Sequence, residues 1–190
     1  MTPLQEVCNA VSMFAATMVF AYEAFVHWPN PWLIGLLGGD VMHLPASVAY
    51  HMHTALTRND NHLNGELCRL DQSMIHVSGS VFAFVLSQGS VPYTLAHACF
   101  SIYAIRNIWP EHSTRRWVLG GISVCLWLLP MAASGHWMEC VSAGVAFYGG
   151  GICFVSEVNE GYLRGWGHVI FHLGAACTAK YMCAACHAPA

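Results

Sequence analysis

Two histidines, His168 and His172, stand one helical turn apart in the apolar run "GWGHVIFHLGAA" (165–176). Ser47 and His51 repeat that spacing in "LPASVAYHMHTAL" (44–56), and Asp71 opens "LDQSMIHVSGS" (70–80). A spacing of four puts two side chains on one face of a helix. Three neutral imidazoles suffice to hold a catalytic Zn²⁺ and leave its fourth position to water, whose pKa then falls to about 7. An aspartate beside such an ion can orient or deprotonate the water, or fix a ligand's tautomer. A serine can donate to the oxyanion of acyl transfer. Taken singly, each group has a plainer reading: a histidine bonded to a neighbouring helix, a helix N-terminal acid for Asp71, a small contact residue for Ser47. Chemistry requires that they converge.

The elements that must bring them together are read from composition. Of 190 residues, 56% are hydrophobic and 9% charged, against about 25% charged in a soluble domain. Apolar runs recur at lengths near the roughly 17–25 residues that span a bilayer as a helix. They are too continuous for alternating barrel strands. The expected fold is all-α, a single seven-transmembrane-helix domain over 1–190, with spans near 8–27, 33–56, 72–88, 91–107, 117–133, 136–156 and 165–185. Several spans are short or contain a Pro or Gly, and the third and fourth are the weakest for that reason. The start of the chain has no basic stretch followed by a small-residue cleavage site, so the first span is expected to be retained.

Orientation follows from the basic residues. Arg58 and Arg69 fall between spans two and three, Arg106, Arg115 and Arg116 between four and five, and Arg164 between six and seven. Seven spans put these on one side, which the positive-inside rule makes the inner one, with the N-terminus inside and the C-terminus outside. His168 and His172 then lie within about 12 Å of the inner side. Ser47, His51 and Asp71 share that depth. The net charge of −3 gives nucleic-acid binding no support.

The S-x-x-x-H of Ser47 and His51, the "LDQSMIHVSGS" carrying Asp71 and the H-x-x-x-H of His168 and His172 resemble the progestin and adiponectin receptor/haemolysin III family. That family shares a superfamily with the alkaline ceramidases. The resemblance implies seven helices and a Zn²⁺ near the inner face, held by His51, His168 and His172 with Ser47 and Asp71 beside it. It implies a lipid amidase in some members and a receptor in others. It covers spans two, three and seven by residue and the remainder by span number. No acidic motif of the family's kind is evident ahead of span one.

Other polar groups fall elsewhere. Glu23, His27, Asp40, His43, His136 and Glu139 form an outer group, read as interfacial or as a proton path or second metal site. His43, Ser47 and His51 make one stripe joining the two levels. Cys183, Cys186 and His187 match C-x-x-C-H, the haem attachment pattern. The run of three glycines at 149–151 admits close helix contact or widens a lipid entrance.

Three functions compete. The first is a zinc-dependent, multi-pass membrane hydrolase acting on an acyl amide or ester of a membrane lipid, with Asp71 and Ser47 catalytic. The second is a non-catalytic receptor-like protein or a subunit among other subunits of a larger membrane complex, which minimal loops would suit. The third is a haem-binding membrane protein.

Overall fold

The computed structural model describes residues 1–57, 65–108, 113–160 and 163–187, and the described residues are helical throughout apart from turns. The helices are α1 (Pro3–Ser12), α2 (Phe14–Val26), α3 (Pro31–Thr57), α4 (Glu66–Leu86), α5 (Val91–Asn107), α6 (Ser113–Ala133), α7 (Trp137–Glu160) and α8 (Gly167–His187). Among the described residues, five stretches are long and apolar enough to cross a membrane: 3–26 (α1 with α2), α3, 115–133, 137–156 and α8. α4 and α5 fall outside that set. They match the two weakest runs of the sequence. Arg58 and most of the segment between α3 and α4 lie outside the described residues.

The first helix begins earlier than its apolar run suggests, at Pro3 rather than near residue 8. Thr2 caps it: the Gln5 amide donates to Thr2 Oγ1, and the Thr2 amide donates to Gln5 Oε1 at 2.7 Å. This is a reciprocal capping box with proline in the first turn, which satisfies otherwise orphaned amides. The hydropathy of the next turns is reversed. Gln5, Glu6 and Asn9 are buried, while Leu4 and Val11 are about two-thirds exposed, at 65% and 64%. A helix that hides its polar stripe and shows its apolar one suits an apolar medium around a polar interior.

The helices close into a ring. α1 and α2 pack on α3 and α8, α3 on α4, α4 on α6, α6 on α7, and α7 on α8, with α5 laid outside α4 and α6. α4 touches α3, α5, α6 and α8. The apolar core, with Phe20, Leu33, Leu36, Trp127, Met131 and Met182, fills the bundle around the ends of α2, α6 and α8. The described arginines, Arg69, Arg106, Arg115, Arg116 and Arg164, sit on helix ends or turns at the opposite end.

Candidate functional site

α3 brings Ser47 and His51 inward as a stripe, two residues after Pro45 interrupts its backbone bonding. α8 contributes His168 and His172 from its first two turns. The three imidazoles meet at the arginine end. Their ring centroids lie 4.6 Å apart for His51–His168, 4.6 Å for His168–His172 and 5.6 Å for His51–His172. One nitrogen from each falls within 4.8 Å of the other two, and all three residues are buried.

The surrounding bonds fix which nitrogens face inward. His172 Nδ1 lies 3.1 Å from the Asn9 carbonyl, which can only accept, and a proton on Nδ1 leaves the Nε2 lone pair to the cluster. Ser12 completes this arrangement, donating to the same carbonyl and standing 2.8 Å from His172 Nδ1. His51 Nδ1 is 2.7 Å from Glu6 Oε2, and a carboxylate accepts, so His51 likewise presents its Nε2 lone pair. That Nε2 is buried and meets no hydrogen-bond partner among the described residues. Carboxylate–histidine and carbonyl–histidine pairs of this kind orient metal-ligating imidazoles and raise their basicity. His168 completes the set, its ring stacked on Phe154 at 4.1 Å. The donor chemistry and the spacing suit a tetrahedral divalent ion.

Asp71 lies beside this cluster but not among its nitrogens. It is the sixth residue of α4, the first-turn acid being Glu66, so the macrodipole reading of Asp71 belongs to Glu66. Its Oδ1 accepts from His43 Nε2 at 2.8 Å, and Ser47 interacts with the same carboxylate. His43, Ser47, Asp71, His168 and His172 share the wall of a cavity of about 120 Å³. A larger cavity of about 370 Å³ continues from Asp71 and His168 between α6 and α7, past Gly121, Tyr148 and Gly151 towards Arg116 and Trp117.

Two participants stand apart from the sequence grouping. Glu6 is 1% exposed and supports His51 from a stretch assigned to the run-in before span one. His43 was placed with the outer group, yet its ring reaches Asp71 and joins the inner one. Asp40 pairs with Thr17. Glu23 and His27 meet Lys180 and His187 at the far end of the bundle. In the C-x-x-C-H stretch, Cys183 is buried at 1% exposure in the apolar core while His187 turns towards Glu23.

No protein-family model, curated protein or solved structure matches the chain.

Proposed function

We propose that the protein is a zinc-dependent, multi-pass membrane hydrolase that cleaves an acyl amide or ester of a membrane lipid. It would cross the bilayer seven times, with the arginine end inside. The observation that carries this reading is the convergence of His51, His168 and His172 from two helices onto one buried point, with outer partners on the Nδ1 atoms of two of them. The resemblance of these positions to the progestin and adiponectin receptor/haemolysin III pattern supports the same reading.

His51, His168 and His172 would hold Zn²⁺. When bound, the ion supplies Lewis acidity, making water acidic enough to ionise near neutral pH. Glu6 holds the His51 ring and its proton on Nδ1. Asp71 accepts the proton of the attacking water and returns it to the leaving group. His43, bonded to the other side of Asp71, fixes the rotamer of that carboxylate. Ser47 would turn its hydroxyl from Asp71 to donate to the oxygen on which charge develops. The cavity between α6 and α7 is lined mainly by aromatic, aliphatic and glycine residues, and suits an acyl chain arriving from the bilayer.

Two variants separate metal binding from chemistry. His51→Ala is expected to lose the inner zinc, read as metal content of purified protein. Asp71→Asn is expected to keep that zinc and lose product formation from a mixed lipid extract by about 10²–10⁴-fold, the usual contribution of a general acid–base. Full zinc occupancy in His51→Ala overturns the ligand assignment. Undiminished turnover in Asp71→Asn overturns the mechanism.

A further inference from the structure

A second set of donor atoms meets at the end of the bundle remote from the three-histidine cluster. His27 follows the last turn of α2, four residues after Glu23, and His187 ends α8. Glu23 is 3% exposed. One of its oxygens accepts from Lys180. The other, Oε2, lies 3.6 Å from His27 Nε2 and 3.3 Å from His187 Nε2, and the two rings are 3.9 Å apart at their centroids.

These lengths decide between two explanations. A charge-assisted bond between a ring nitrogen and a carboxylate runs about 2.7–2.9 Å, and the same molecule shows it twice, at 2.7 Å for Glu6–His51 and 2.8 Å for Asp71–His43. The Glu23 contacts are longer. They fall close to the separation of about 3.3 Å between ligand atoms on a tetrahedral ion with bonds of about 2.0–2.1 Å. All three donor atoms lie within 4.8 Å of one another. Lys180, by occupying Oε1, turns the carboxylate into a one-oxygen donor and leaves Oε2 to the imidazoles.

We propose that Glu23, His27 and His187 form a second metal site, taking a divalent transition ion of the Zn²⁺ class through one carboxylate oxygen and two imidazole nitrogens. The histidine side chains are 44% and 28% exposed, so water completes the coordination and the ion exchanges with solvent. The bound ion ties the end of α2 to the end of α8, the helix whose other end carries His168 and His172.

The probe is Zn²⁺ itself, titrated into the purified full chain in detergent against a chromophoric chelator. Two equivalents are expected for the wild type. His27→Ala/His187→Ala is expected to bind one, and His51→Ala/His172→Ala the other one. The two sites therefore stand or fall separately. Both outer histidines lie at helix ends and are partly exposed, so their replacement leaves the core intact, which a thermal melt without metal checks. If removing His27 and His187 leaves the stoichiometry unchanged, in the wild type and in His51→Ala/His172→Ala alike, Glu23 serves only as the ion-pair partner of Lys180 and the proposal fails.

Discussion

At the scale of residues, the arrangement turns on Glu6. Its carboxylate holds the His51 ring from behind, and in a buried setting that bond sets both the orientation of the ligand and the electron density on Nε2. Glu6→Gln keeps the shape and removes the charge. It is expected to weaken zinc binding at the three-histidine cluster by about 10–100-fold, the usual cost of losing such a support, read by competition with a chelator. An unchanged affinity would make Glu6 a packing residue. Ser47, His51, His168 and His172 could be picked from the sequence because i,i+4 pairs advertise a shared face, and Asp71 because the arginines put it at their depth. Glu6 could not, being 45 positions from His51 and ahead of the apolar run used to place the first span. A signal was nonetheless present: Thr2, Pro3 and Gln5 form a helix start, and Gln5, Glu6 and Asn9 then fall on one face. His43 belongs to both readings, the outer group and the stripe that joins it to Ser47 and His51. Depth along α3 groups it with the outer set, whereas its Nε2 lies 2.8 Å from Asp71 Oδ1 on α4.

At the scale of elements, the site depends on how closely α7 and α8 approach. A Cβ at Gly174 would stand 2.6 Å from the Ala146 carbonyl oxygen, and one at Gly150 would stand 3.0 Å from the Phe171 Cα. Backbone cannot withdraw as a flexible side chain can. Gly174→Ala is therefore expected to separate the helices and cost about 1–3 kcal/mol, the range for an overfilled contact, with zinc affinity falling because Gly174 lies two residues from His172. Gly144 on α7 faces open space. There Gly144→Ala is expected to be neutral or to stabilise by up to about 1 kcal/mol through helix propensity. Thermal unfolding of both variants in one detergent tests the contrast, and equal melting temperatures would refute it. The triple glycine of α7 was legible as a contact, and Gly150 makes it. The position of α5 was not legible. It is held to α4 and α6 through His97, whose Nδ1 lies 3.1 Å from Ser80 Oγ and 3.2 Å from Ser101 Oγ, and whose Nε2 lies 3.4 Å from the Ser123 carbonyl. Polar contacts of this kind join helices in an apolar medium and leave no periodic trace.

At the scale of the whole molecule, the proposed seven crossings require α4 and α5 to join the five described stretches that are long and apolar enough for a bilayer. Apolar surface is abundant: Phe25, Leu56 and Met138 are 82%, 79% and 75% exposed, which suits lipid and not water. α4 falls short in hydropathy because it carries Asp71, His76 and Ser78, all buried inside the bundle, and polar groups in a span face the bundle interior rather than lipid. α5 has 17 residues, about 25 Å at 1.5 Å per residue. That is short of a hydrocarbon core of about 30 Å by an amount local thinning absorbs. The turn between them decides. Gln88 lines a depression of about 350 Å³ together with Asn30, His136 and His187, so the α4–α5 turn stands at the same end as the start of α3 and the end of α8. Seven crossings put an epitope inserted between Gln88 and Gly89 on the side of a C-terminal tag, and both opposite an N-terminal tag. Five crossings, with α4 and α5 folded back without traversing, put the inserted epitope on the N-terminal side instead. Protease accessibility of the three tags in sealed vesicles separates the two, and cleavage of the inserted epitope from the N-terminal side would remove the seven-helix topology on which the depth of Asp71 and the three histidines rests.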